Sequence, residues 1–176
     1  MRSNGFAAVT ALCVALWLIA GATDARGQVP GADALAIVVH RANPVDALTM
    51  GELRRIFMLA TQTWPNGRKI TVVLREKGQP ERAEAIRIIC GLSEPDFERH
   101  LLFQAFRGGV TRAPRSIQSP SGMLRFIFNT PGAIGYVRAD EVDDTIKVLR
   151  IDGRLPGEAK YPLQRVGRIG KVEPGW

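Results

Sequence analysis

KITVVL (69–74) running into REKGQPERAEAIRIICG (75–91) is the stretch on which the fold turns. The first segment is apolar and β-branched, and its length suits a buried strand. Gly78 and Pro80 break it. Proline is tolerated in the first turn of a helix, so the pattern predicts a helix over about 80–90. Gly91 closes that helix at the C′ position, where a left-handed backbone is needed. A buried strand handed through a short turn to a helix is a building unit of layered α/β domains.

The same alternation extends both ways. LAIVVH (35–40) reads as a second strand and RANPVDAL as the turn after it. Thr49-Met50-Gly51-Glu52 is a capping box, in which the Thr49 and Glu52 side chains satisfy free backbone donors. Met50, Leu53, Ile56 and Phe57 then share one helical face. Trp64-Pro65-Asn66-Gly67 is a turn with Trp64 as its anchor. Ser93 to Asp96 caps a helix reaching about Phe106, with Phe97, Leu101, Leu102 and Phe106 as its core side. RGGVTRAPRSIQ (107–118) reads as a basic loop. Ser119-Pro120 opens another helix, with Met123, Leu124, Ile127 and Phe128 inward. NTPG turns into strand AIGYV (133–137), and TIKVLRI (145–151) is a further strand. From this spacing Gly132 is expected at positive φ, Gly135 at a close approach, and Tyr136 in the core. The order β-α-β-α-α-α-β-β predicts an α/β class with a mainly parallel sheet flanked by helices.

The chain has 176 residues, 45% of them hydrophobic and 23% charged, which excludes a disordered, collagen-like or disulfide-scaffold protein and suits one domain. The net charge of +7 comes largely from scattered arginines. There is no Lys/Arg run of the kind that tracks nucleic acid, so no nucleic-acid partner is expected. The charge serves a solvated surface or the long-range attraction of anions.

Residues 1–27 have the order of a secretory signal: Arg2, an apolar run over 7–20, then small residues. Cleavage is expected near residues 22–27, leaving a single domain over 28–176 in the periplasm. Cys13 lies inside the apolar run, so a lipid anchor is not expected. Cys90 then stands alone, without an internal disulfide, and reads as a buried core thiol.

Catalytic signatures are missing. His40 and His100 are isolated and lack metal-ligand spacing. The sequence has no G-x-S-x-G elbow, Walker loop, G-x-G-x-x-G or H-E-x-x-H. The expectation is a non-catalytic protein with no cofactor and no metal. The best candidate site is the junction Arg75-Glu76-Lys77-Gly78-Gln79-Pro80-Glu81. A strand end beside a glycine turn can cradle an anion, with Arg75 supplying a forked charge and Gly78 and Gln79 beside it. Pro80 lacks an N–H, and Glu81 puts a negative charge close by. The alternative is a plain surface junction in which Arg75 pairs with a carboxylate. A second candidate is the loop carrying Arg107, Arg112 and Arg115.

Four stretches, IVVHRANPVDALTMGELRRIF, TWPNGRKITVVLREKG, NTPGAIGYV and YPLQR (161–165), fall in a familiar order. With them the chain resembles the PBP-like superfamily, specifically the phosphate-binding solute receptors of ABC transporters. The resemblance implies an exported receptor whose two α/β lobes close on an oxyanion. Only about ten residues separate the signal segment from LAIVVH, so the chain looks like the second lobe with its hinge strands. In that family an Arg precedes a Gly-Ser-Gly-Thr turn that holds phosphate. Arg75 and Gly78 match, while Gln79, Pro80 and Glu81 replace the Ser, Gly and Thr. What this implies is weak binding of a small, phosphate-like anion, with an ABC permease or envelope protein as partner. The other reading is an interaction or self-associating module that has lost its solute.

Overall fold

In the computed structural model the described residues are 34–108 and 113–164. The signal segment, Arg112 and the tail beyond 164 lie outside them.

Strand β1 (Leu35–Val39) is buried at all five positions, as its unbroken apolar run requires. After it, Asn43 Oδ1 accepts the Val45 N–H and closes the predicted turn. Strand β2 (Ala47–Leu48) leads into α1 (Met50–Phe57). The capping box is formed: Thr49 Oγ1 accepts from the Glu52 N–H, and Glu52 Oε2 accepts from the Thr49 N–H. The bond from the Thr49 N–H, and after it one that the Thr49 hydroxyl donates to Glu52 Oε2, hold the Glu52 carboxyl below its ordinary range.

Strand β3 (Thr71–Arg75) follows, then α2 (Pro80–Ala85). The helix predicted over 80–90 changes character at Ile86. Residues Ile86–Cys90 form a wider π turn, and Gly91 closes it at φ +68°. Helix α3 (Glu94–Phe106) is capped by Ser93 through the Asp96 N–H. The expected basic loop contains a short strand, β4 (Arg115–Ile117), which sequence reading missed. Helix α4 (Pro120–Asn129) is capped by Ser119, and β5 (Ala133–Arg138) follows.

The single strand expected over 145–151 is two. Strand β6 (Lys147–Val148) pairs with β1, and β7 (Arg150–Ile151) pairs with β2 in a separate two-stranded sheet. Leu149 marks the crossover, donating its N–H to the Ile37 carbonyl.

The main sheet has the order β4-β3-β5-β1-β6. Strand β3 is parallel to β4 and β5, and β1 runs antiparallel to β5 and β6. Four strands therefore point one way and β1 alone opposes them, which makes the sheet mainly parallel, as expected. Leu35, Ile37, Val72, Leu74, Ile134 and Tyr136 meet α1, the α2–π segment and α3 on one face. On the other face Ala36, Val38, Val73 and Val137 meet Met123, Leu124 and Ile127 of α4. This gives helix, sheet and helix in three layers.

Gly132 is needed for a different reason than expected. It is not at positive φ; a Cβ there would lie 2.2 Å from the Lys69 carbonyl oxygen. Its own carbonyl accepts from the Thr71 N–H and from the buried Trp64 indole, which is thereby the turn's anchor. Gly135 does permit close packing, against Met123 Sδ and Ile127 Cδ1. Three expected core residues are corrected: Leu102, Phe106 and Phe128 are exposed. Phe97 is buried and Leu101 packs against the core, while Leu102, Phe103 and Phe106 lie on the outward side of α3.

Burial raises the Cys90 thiol from 9.0 to about 12 and the Tyr136 phenol from 10.0 to about 12. Both groups stay protonated in the folded chain while the unfolded chain releases their protons, so stability falls as pH rises from about 9 to about 12. Urea unfolding at pH 8 and pH 10.5 is expected to give a lower midpoint at the higher pH. The same midpoint at both would contradict this account of the two groups.

Candidate functional site

Strand β3 lies between β4 and β5, and its last residue, Arg75, opens the candidate turn. Two bonds fix the Arg75 peptide. Its N–H donates to the Tyr136 hydroxyl at 3.1 Å, and its carbonyl accepts from Arg82 Nη1 at 2.8 Å. The turn then closes through the Gln79 N–H to the Glu76 carbonyl, 3.2 Å, with Gly78 at φ +82°. That is a position only glycine occupies without strain. A Cβ on Gly78 would meet nothing within 4 Å, so the space over the turn is open. Glu76 donates its N–H to the Ile117 carbonyl, which ties the turn to β4.

Arg82 is the residue that sequence reading missed. It is 2% exposed and projects from α2 to three acceptors. Besides the Arg75 carbonyl these are Glu94 Oε1, at 2.6 Å, and Glu98 Oε1, both on α3. Glu98 also pairs with Lys77 at 3.0 Å. Burial pushes the Glu98 carboxyl up, but the bonds from Lys77 and Arg82 outweigh it and hold it below the ordinary range. One signal was available: Glu94 and Glu98 sit one helical turn apart, which places two carboxylates on a single face. What the sequence does not give is the cation they face.

Arg75 itself is not on the surface, and among the described residues it pairs with no carboxylate. It is 6% exposed, and its Nη2 donates to Gln79 Oε1 at 3.3 Å, a long bond to a neutral amide. Its Nε and Nη1 are buried with no hydrogen-bond partner among the described residues. A guanidinium keeps its charge, and leaving buried donors unmet costs on the order of 1–3 kcal/mol, more for a charged group. The guanidinium is therefore buried, charged and only partly satisfied, and a charged acceptor would satisfy it.

The second candidate does not join the first. Register places Ile117 beside Arg75 and puts Arg115 opposite Val73, about 6–7 Å back along the strand. Arg115 is exposed, and Arg107 stacks over the Phe103 ring at 4.3 Å. Arg112 lies outside the described residues. The histidines are structural: His40 Nδ1 accepts from the Ala42 N–H, and His100 Nε2 bonds the Met58 carbonyl. Cys90 is buried and unpaired. Among the described residues no group of three or more His, Cys, Asp or Glu could hold a metal ion.

Residues 19–163 match the PBP superfamily domain. Among solved structures the chain is similar to an ABC-type phosphate transport receptor from Vibrio cholerae, with 26% identity and TM-score 0.58 over 70% of this chain and 48% of that one. It is similar to a phosphate ABC transporter substrate-binding structure from Clostridium perfringens with bound phosphate, at 23% identity and TM-score 0.58, over 70% and 47%. It also resembles PstS from Borrelia burgdorferi at 15% identity and TM-score 0.60, over 76% and 55%. In the last two the likeness is one of fold. The chain spans about half the length of each of these structures. The first two are described as a transport receptor and a transporter substrate-binding protein, in keeping with the expected non-catalytic class. By the match over most of its length, the chain belongs to the PBP superfamily.

Proposed function

We propose that this chain is a solute-binding lobe that holds a small oxyanion, phosphate first among candidates, at the end of β3. The observation that carries this reading is the buried Arg75 guanidinium with Nε and Nη1 unpartnered. Each of the two unpartnered nitrogens would give the anion a charge-assisted bond. Helix α2 is six residues long and opens with Pro80, so its amides are not part of the reading. Two charge-assisted bonds contribute on the order of 3–6 kcal/mol, which corresponds to a Kd of roughly 0.05–10 mM. This is weak binding, in keeping with the loss of the Ser and Thr of the related turns. The role includes export through residues 1–27 to the periplasm and delivery to an ABC permease.

Calorimetric titration with phosphate tests it. Binding is expected for the wild type, with at least a tenfold loss for Arg75→Met at unchanged circular dichroism. Equal binding by both proteins would overturn the site.

A specific observation favours a second reading, an interaction or self-associating module. On the outer half of α3, Leu102 is 59%, Phe103 51% and Phe106 83% exposed, an apolar group of the kind that a partner covers. Sedimentation equilibrium at high concentration reads this out: a dimer that dissociates in Phe106→Ser supports it, and a monomer throughout counts against self-association.

A further inference from the structure

We propose that Gln79 is a built-in stand-in for the ligand, an amide that occupies Arg75 and sets how weakly the site binds. The inference rests on the reading of Arg75 as the anion site. Gln79 stands at the N-cap of α2, where a side chain ordinarily accepts from helix N–H groups, yet it makes no such bond. It turns back instead, and its Oε1 accepts from Arg75 Nη2 at 3.3 Å.

The backbone around it is held. The Gln79 N–H bonds the Glu76 carbonyl at 3.2 Å, and its own carbonyl accepts from the Arg82 N–H at 3.0 Å. Only the side chain is free to leave. The bond it would give up is long, uncharged on the acceptor side and half-buried, so an anion that carries real charge displaces it. Until then the amide oxygen partly covers one donor of a guanidinium whose other two donor nitrogens are unmet. Gln79 therefore competes with an oxyanion for Nη2, and as part of the same chain it does so at a fixed, finite effective concentration.

The charge of the side chain decides the outcome. Gln79→Ala removes the competitor and frees Nη2, so phosphate affinity is expected to rise about threefold to tenfold, the exchange of one ordinary hydrogen bond. Gln79→Glu keeps the shape and replaces a neutral acceptor with a carboxylate, which pairs with Arg75 and is expected to weaken phosphate binding at least tenfold. Because the wild-type side chain caps nothing, the melting temperature of Gln79→Ala without phosphate is expected to stay within a few degrees of wild type.

Phosphate titration of the mature chain and of Gln79→Ala, Gln79→Glu and Arg75→Met separates the possibilities. A rise with Ala and a fall with Glu support the stand-in. Unchanged or weaker binding in Gln79→Ala, with binding lost in Arg75→Met, overturns the stand-in and leaves the anion site intact. No binding by any of the proteins, Gln79→Ala included, overturns the anion site and the stand-in with it.

Discussion

One buried guanidinium, that of Arg82, joins the parts on which the site depends. It reaches from α2 to the carbonyl at the end of β3 and to Glu94 and Glu98 of α3. Removing one partner of such a group strands a charge in low dielectric, which is far more costly than losing an exposed pair. The network therefore fixes where β3 ends, how α2 departs, and where α3 lies. Arg82 is saturated by two carboxylates. Arg75, seven residues earlier, is buried without one. The two arginines contrast: the first is saturated by carboxylates, and the second keeps two buried nitrogens without a partner among the described residues.

The sheet explains why Arg75 is buried at all. Strand β3 is flanked by β4 and β5 and covered by helices on both faces, so a residue at its end has little exposure before the turn begins. Tyr136 on β5 holds the Arg75 amide, and the close approach at Gly132 holds β5 to the start of β3. Position, register and desolvation are in this way imposed by the scaffold, and the loop supplies only Gly78 and Gln79.

Much of this was legible in the sequence. The caps at Thr49, Ser93 and Ser119, the αL glycine at 91 and the strands through 35–39 and 71–75 follow from local chemistry that acts over four or five residues. Arg75 and Gly78 were visible through the break between strand and helix. What failed did so where the deciding partner is distant. Strand β4 and the division between β6 and β7 are set by pairing with remote strands. Phe106 and Leu102 fit an amphipathic stripe, but the core meets α3 through Phe97 and Leu101 and leaves those two exposed. Nothing local marks Arg82 out, because the carboxylates that pair with it lie twelve and sixteen residues on. The burial of Arg75 and the hold of Gln79 on it are likewise matters of geometry.

The central claim is that Arg75 is a desolvated cation awaiting an oxyanion. A crystal structure of the mature chain grown with millimolar arsenate, a heavy tetrahedral analogue of phosphate, tests it most directly. The account predicts an anomalous peak within hydrogen-bonding distance of Arg75 Nε and Nη1. Arsenate elsewhere on the surface, with Arg75 still bonded only to Gln79, would contradict it.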